Sequence, residues 1–253
     1  MTRVLLAGVV ALMAVVAVAF AAPADAAPAS PVTRVIIVPG QSVAGQSLSP
    51  FYVGLVDDLE RRGHPTTLLP LRGDDLRGDA RTIAGEIDRT HRAHPGDRIA
   101  LVTHSIGGIS ARWALKELGA GEDVAAYVAI GTAQYGSPPS CTADIARENC
   151  PGTPFLQTLN AGDDTPGPTE YYGVRSSREY ATGDLDGGQC RVTPIPADES
   201  LPALGLEHTV EPLDRRVWDV VAAALAGRCR GEFVNDPDGV LTAQNSLTRY
   251  APR

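Results

Sequence analysis

Positive charge is scarce in this sequence, and internal repeats and low-complexity blocks are absent. Lys and Arg number 22 against 30 Asp and Glu, so the formal net charge is −8. A negatively charged surface repels phosphate backbones and anionic lipid headgroups. We therefore expect neither nucleic acid nor an anionic membrane surface as a standing partner.

Long apolar runs are absent except at the N-terminus. There Arg3 is followed by an apolar run that ends near Ala22, and Ala24-Asp25-Ala26 supplies an Ala-x-Ala site. A basic start, an apolar stretch and a small-residue site are the layout of a secretory signal peptide. A membrane anchor is the alternative, because the run is nearly long enough to span a bilayer. The small-residue site favours cleavage after residue 26, secretion, and no stable membrane insertion of the cleaved chain.

Closely spaced metal ligands are missing as well, since there is no Cys-x-x-Cys pair and no cluster of His and Cys. A structural zinc site needs such a set, so we expect no metal. The four cysteines are an even number in a chain with an export signal, which favours two disulfides. Three pairings are open. Proximity in the sequence favours Cys141–Cys150, which leaves Cys190–Cys229.

Behind the N-terminal segment, apolar strand-like runs alternate with amphipathic helical segments. This alternation is typical of a mostly parallel sheet covered by helices on both faces. The sequence therefore predicts a single α/β domain over residues 27–229, followed by a tail over 230–253 without periodicity. The predicted strands are 33–40, 66–71, 98–105, 124–132, 169–177 and 190–197, and the predicted helices are about 51–63, 80–94, 106–118 and 213–224.

A serine stands at the junction of the third predicted strand and the helix after it, within Thr103-His104-Ser105-Ile106-Gly107-Gly108. Ser is a common N-terminal helix cap, so a plain cap is one interpretation. The other is a nucleophile elbow, in which Gly-x-Ser-x-Gly joins a buried strand to a helix. The tight turn needs small neighbours, which explains the two glycines, while Thr103 departs from the first glycine of the pattern. The strand–serine–helix context favours the nucleophile.

A serine nucleophile needs a base, and His208 is the only histidine that follows Ser105 in the sequence. The expected chain order of this motif is nucleophile, acid, histidine. We predict that His208 is the base, in a loop between the last strand and the last helix; a surface histidine is the alternative. His104 is expected to point away from Ser105 into local packing.

The acid should follow the fifth predicted strand, where a short loop can reach the imidazole. Glu179 is the first carboxylate there and is our prediction, with Asp184 and Asp186 as alternatives. The task of the acid is to fix the imidazole tautomer and to stabilise the imidazolium charge. Two backbone N–H groups should form the oxyanion hole, one on Ile106 and one on Gln41 in the turn after the first strand.

Together these segments resemble the secreted microbial lipases and esterases of the α/β-hydrolase fold, over about residues 32–229. The resemblance rests on "RVIIVPGQS", "ALVTHSIGGISARW", "AIGTAQYGSP", the cysteine-bearing excursion ending in "FLQTLNAGDDTPGP", and His208 ahead of a closing helix. It implies hydrolysis of lipid or other small acyl esters through an acyl-enzyme, without metal or organic cofactor. It also implies that the excursion at 134–168 borders the acyl pocket. We expect the protein to be a monomer. The family usually has Asp where this sequence has Glu179.

Two alternatives stay open at this point. A hydrolase-fold protein can lose catalysis and serve as a binding protein, because a fold does not determine a function. An acyltransferase or polyester hydrolase would use the same serine, histidine and acid.

Overall fold

Seven strands form one sheet within the residues that the computed structural model describes, which are 31–42, 46, 48–177, 185, 188–196, 198–199 and 206–235. The strands are β1 Thr33–Val38, β2 Thr66–Leu68, β3 Arg98–His104, β4 Ala126–Ile130, β5 Glu170–Val174, β6 Gln189–Val192 and β7 Glu232–Val234. The order across the sheet is β2-β1-β3-β4-β5-β6-β7, and every neighbouring pair is parallel except β6 and β7. Where the central strands pair, Val35 of β1 lies opposite Ala100 of β3. Thr103 of β3 lies opposite Ala129 of β4.

Helices cover both faces of the sheet, because its central strands are apolar on both sides. The helices are α1 Val53–Arg61, α2 Leu76–Ala93, α3 Ile106–Lys116, α4 Pro154–Leu159, α5 Leu206–Val210 and α6 Arg215–Leu225. One core packs α2 and α3 against the sheet, with Leu76, Ile83 and Ile109 fully buried. The other core packs α1 and α6 against the opposite face, with Leu55 and Val221 fully buried. The predicted α/β fold class is confirmed.

Two helix starts differ from the sequence prediction, and local capping explains both. Helix α2 begins four residues before residue 80, because the Asp75 side chain accepts a hydrogen bond from Gly78 N–H and caps it. Helix α6 begins at Arg215 behind the capping side chain of Asp214. Leu213, predicted on the buried face of that helix, lies in the preceding short 3-10 turn and is 44% exposed.

The C-terminal segment contributes an element that the sequence pattern does not predict. Glu232–Val234 forms β7, which pairs antiparallel with β6 at the edge of the sheet. Three residues are too few to show an alternating pattern, so the strand is defined by its pairing alone. The start of the predicted tail therefore extends the sheet.

Both predicted disulfides are present. Cys141–Cys150 joins two residues of the excursion that are nine positions apart in the sequence, and Cys190–Cys229 joins β6 to the segment after α6. Disulfides form and persist in oxidising compartments. The predicted signal peptide at 1–26 lies outside the described residues. None of the helices in the described ranges has both the length and the apolar character needed to cross a bilayer.

Gly107 lies where α3 passes the end of β1, and there is no room for a side chain. A Cβ at this position would lie 2.2 Å from the carbonyl oxygen of Pro39. Gly107→Ala should therefore lower the free energy of unfolding by about 1–3 kcal/mol, measured by urea denaturation. Gly85→Ala is the matched control, because a Cβ in that part of α2 would meet nothing within 4 Å. The control should gain about 0.5–1 kcal/mol from helix propensity. Equal stability of the two variants would contradict the packing argument.

Candidate active site

Ser105 is a single residue between β3 and α3 with a backbone that L-residues rarely adopt. Its φ is 55° and its ψ is −135°. Such a conformation costs on the order of 1–3 kcal/mol and persists where the surroundings hold it in place. The Ser105 N–H donates to the Ile130 carbonyl at 2.9 Å, and the Thr132 hydroxyl donates to the Ser105 carbonyl at 3.0 Å. The side chain makes no capping hydrogen bond, so the plain-cap interpretation is wrong.

The residues around this turn explain the sequence pattern. A Cβ on Gly108 would lie 2.2 Å from the Thr132 hydroxyl oxygen. Thr103, which stands where the motif has its first glycine, is buried in β3. Its hydroxyl lies 3.4 Å from the Val128 carbonyl on the neighbouring strand. The sheet therefore accommodates Thr103, whereas Gly108 has no room for a larger residue.

His208 lies directly over Ser105. Its Nε2 is 2.8 Å from the Ser105 Oγ, although 103 residues separate the two in the sequence. The predicted loop location is wrong, because His208 lies in the short helix α5. Five residues are too few for a helical apolar stripe to show in the sequence. With a neutral imidazole, the hydroxyl donates to Nε2, which is the arrangement that a general base needs.

The predicted acid Glu179 and its alternatives Asp184 and Asp186 all lie outside the described residues. A different carboxylate, on Glu211, lies near the imidazole: its Oε2 is 4.0 Å from His208 Nδ1. This distance is too long for a hydrogen bond but short enough for a favourable charge interaction. Glu211 is fully buried, and its Oε1 accepts the Ser176 N–H at 2.5 Å.

Glu211 is not among the predicted acids, although the sequence contains a signal for it. Glu211 follows His208 by three residues, a spacing that places two side chains on one side of a helical turn. Ser176, which holds the carboxylate, stands two residues beyond the end of β5. Glu211 therefore reaches the region where the acid was predicted, from a later point in the chain.

His104 is packed in the interior, as predicted, but its packing partners include the predicted base. It is buried beneath α5, its Nε2 lies 2.9 Å from the His208 carbonyl oxygen, and the two imidazole rings are 4.9 Å apart. Its Nδ1 lies 2.7 Å from the Tyr52 hydroxyl. Burial, and secondarily the electrostatic effect of the nearby His208, lower the pKa of His104 to about 3. His104 is therefore neutral at physiological pH.

Gln41 and Ile106, the predicted oxyanion donors, line one cavity of about 140 Å³ together with Ser105 and His208. Ile106 is the first residue of α3, where a backbone N–H has no acceptor within the helix. The turn that carries Gln41 is held on both sides. The Ser42 N–H donates to the Arg72 carbonyl at 2.8 Å. The Gly40 N–H donates to the Tyr52 hydroxyl at 2.8 Å.

The excursion at 134–168 forms the opposite wall of this cavity, where the resemblance places the acyl pocket. The wall residues that the excursion contributes are small or polar: Ser137, Pro139, Ser140, Ala143 and Asn149. Arg112 of α3 anchors the excursion from inside. Its guanidinium donates to the Gln134 carbonyl at 3.0 Å and to the Asn160 side chain at 2.9 Å, and it lies 3.7 Å from the Asp164 carboxylate.

In the described part of the chain, one group of side chains has the composition of a metal site: His104, His208 and Glu211. Both ring nitrogens of His104 have hydrogen-bonding partners, however, and His208 Nε2 faces Ser105. These donors are therefore arranged for hydrogen bonding and proton transfer.

No family model matches the chain, and no curated protein matches it in sequence. Solved structures do match. A Bacillus licheniformis lipase in its propeptide form has a TM-score of 0.61 and 16% identity, over 85% of this chain and 53% of that one. Aspergillus fumigatus lipase B has a TM-score of 0.56 and 18% identity, over 89% and 60%.

A cutinase-like protein from a Cryptococcus species also matches, with a TM-score of 0.50 and 17% identity over 79% of this chain and 98% of that one. This chain spans about half to three fifths of the two lipases. At sequence identities this low, structural similarity establishes the architecture alone. The chain has the α/β-hydrolase fold.

Proposed function

We propose that this protein is a secreted serine ester hydrolase of the lipase and esterase kind. The observation that carries the proposal is the 2.8 Å contact between Ser105 Oγ and His208 Nε2. It lies at the carboxyl edge of a parallel sheet, on a strained strand–helix turn, where α/β folds bind their ligands. The lipases and the cutinase-like protein that share the fold support the same class.

In the proposed mechanism, Ser105 Oγ attacks the ester carbonyl carbon while His208 Nε2 takes the hydroxyl proton. The backbone N–H groups of Gln41 and Ile106 hold the oxyanion. The carbon–oxygen bond to the alcohol then breaks, and His208 returns the proton to the departing alkoxide. Water attacks the acyl-enzyme by the same route, which releases the carboxylic acid and restores the Ser105 hydroxyl.

For the acid we propose a division of labour between two carboxylates. Glu179, by its position after β5, accepts the hydrogen bond from His208 Nδ1. Glu211 adds a buried negative charge, which stabilises the imidazolium from 4.0 Å. A charge at that distance acts without a hydrogen bond, so the two roles are compatible.

This division predicts a ranking of variants. Glu179→Ala should lower kcat at least about tenfold more than Asp184→Ala, because only the first removes the group that fixes the tautomer. Glu211→Gln should lower kcat by about tenfold, since it removes one charge but keeps an oxygen for the Ser176 N–H. Steady-state kinetics on p-nitrophenyl butyrate measures both. The opposite order for Glu179 and Asp184 would reassign the acid.

The proposed substrates are lipid or other small acyl esters, and the proposed location is outside the cell. The cavity is small and its excursion wall is partly polar, which favours short acyl groups. Two disulfides and the signal-like segment at 1–26 support secretion. We propose that the protein acts as a monomer, without metal or organic cofactor.

The decisive experiment combines turnover with covalent labelling. The purified protein should hydrolyse p-nitrophenyl acetate and butyrate, and a fluorophosphonate probe should stop this activity. Mass spectrometry of the digested protein should place the phosphonyl group on Ser105. Heat-denatured protein is the control for non-specific labelling. A folded protein with neither turnover nor labelling would instead support a binding protein built on a hydrolase fold.

A further inference from the structure

A continuous chain of buried hydrogen bonds joins the turn that carries Gln41 to the backbone of His208. The Gly40 N–H lies 2.8 Å from the Tyr52 hydroxyl oxygen, which lies 2.7 Å from His104 Nδ1. On the other side of the ring, His104 Nε2 lies 2.9 Å from the His208 carbonyl oxygen. Tyr52 and His104 are 1% and 2% exposed, so water does not compete for these bonds.

The direction of every hydrogen bond in this chain is determined. A carbonyl oxygen can only accept, so His104 Nε2 carries the proton that is donated to His208. Since buried His104 is neutral, its Nδ1 is an acceptor. The Tyr52 hydroxyl therefore donates to Nδ1, and its oxygen accepts from Gly40. Each group has one role, and reversing any bond would leave a buried polar atom unpaired.

We propose that Tyr52 and His104 are positioning residues, which hold the oxyanion turn and the base at a set spacing around Ser105. This inference rests on the proposed hydrolase function. One end of the chain is Gly40, directly before the proposed donor Gln41. The other end is the backbone of the proposed base His208. The imidazole rings of His208 and His104 also pack together, with their centroids 4.9 Å apart.

The spacing matters because the proton acceptor and the oxyanion donors act on the same carbonyl group. A misplacement of about 1 Å can cost on the order of a hundredfold in rate. Helix α5, which carries His208, is only five residues long. The hydrogen bond from His104 ties this short helix to the end of β3, one residue before the nucleophile.

The test compares four variants in the full-length chain. Tyr52→Phe removes the hydroxyl that links Gly40 to His104. Tyr171→Phe is its matched control, because Tyr171 is also buried and its hydroxyl donates to the carbonyl of Pro166, and neither residue lines the cavity. His104→Gln places an amide N–H where Nε2 stands, and His104→Asn places an amide oxygen where Nδ1 stands.

Tyr52→Phe should lower kcat on p-nitrophenyl butyrate by about 10- to 100-fold with KM changed less than about threefold. Tyr171→Phe should leave kcat within about twofold while losing stability to a similar extent, as measured by urea denaturation. His104→Gln should retain more activity than His104→Asn, because only Gln can still donate to the His208 carbonyl. A merely structural role predicts no such order and no split between kcat and KM.

Two results would overturn the inference while leaving the proposed function intact. One is a wild-type level of kcat in folded Tyr52→Phe. The other is equal activity of His104→Gln and His104→Asn. The two tyrosine variants form one pair and the two His104 variants form the other, and each pair tests one end of the hydrogen-bond chain. If a variant of one pair does not fold, the other pair decides the test. Absence of both turnover and fluorophosphonate labelling in the wild type would overturn the proposed function and this inference together.

Discussion

Ser105→Ala and His208→Ala should each lower kcat for ester hydrolysis by about 10⁴- to 10⁶-fold. The double variant should be about as active as the less active of the two single variants. The reason is the 2.8 Å contact between the two side chains, which makes them one functional unit. Once either is gone, the other has no proton to exchange. What remains in each variant is the contribution of substrate binding and the oxyanion donors.

The measurement is the initial rate of p-nitrophenyl butyrate hydrolysis, at enzyme concentrations high enough to detect the residual rate. Ser110→Ala is the matched control. Ser110 lies on α3 five residues after Ser105, is fully buried, and its hydroxyl has no hydrogen-bonding partner. This variant should keep the wild-type rate. Additive losses, in which the double variant falls by the product of the two single effects, would show that the residues act separately.

The sequence predicts the sheet well because buried parallel strands are apolar on both faces. β3 and β4 are almost entirely buried, and their apolar runs mark them clearly. The contact between Ser105 and His208 follows from the same reasoning, since both residues stand beyond the carboxyl ends of parallel strands. Short elements escape this reasoning. Helix α5 and strand β7 have five and three residues, and each depends on tertiary contacts.

The hydrogen-bonding roles inside the site could not be predicted for a different physical reason. Tyr52 belongs to the apolar stripe of its helical segment, and its burial fits that pattern. Periodicity places its ring in the core, but it does not show that the hydroxyl meets His104 and Gly40. Buried polar groups must find partners, and which partners they find depends on packing between distant segments. The same holds for Glu211 and the Ser176 N–H.

The cavity has one wall on the sheet edge and one on the excursion, so its shape depends on how the excursion is anchored. Arg112 and Asp164 provide that anchor, and both side chains are about 1% exposed. The Arg112 guanidinium also binds the carbonyl of Gln134, the residue directly after Ala133, which lines the cavity. Loss of this cation would therefore affect both stability and the cavity that receives the acyl group.

Arg112→Leu should lower the free energy of unfolding by about 3–5 kcal/mol, because it removes the guanidinium that lies 3.7 Å from the buried Asp164 carboxylate. Arg112→Leu with Asp164→Leu should recover part of this loss, since the buried carboxylate is then removed as well. Urea denaturation measures both. Arg92→Leu is the control: its ion pair with Asp88 is on the surface, so it should change stability by less than about 1 kcal/mol. A loss of stability in Arg112→Leu no larger than in Arg92→Leu would mean that the excursion is anchored elsewhere.

If Arg112 also shapes the cavity, KM for p-nitrophenyl butyrate should rise in folded Arg112→Leu by a larger factor than kcat falls.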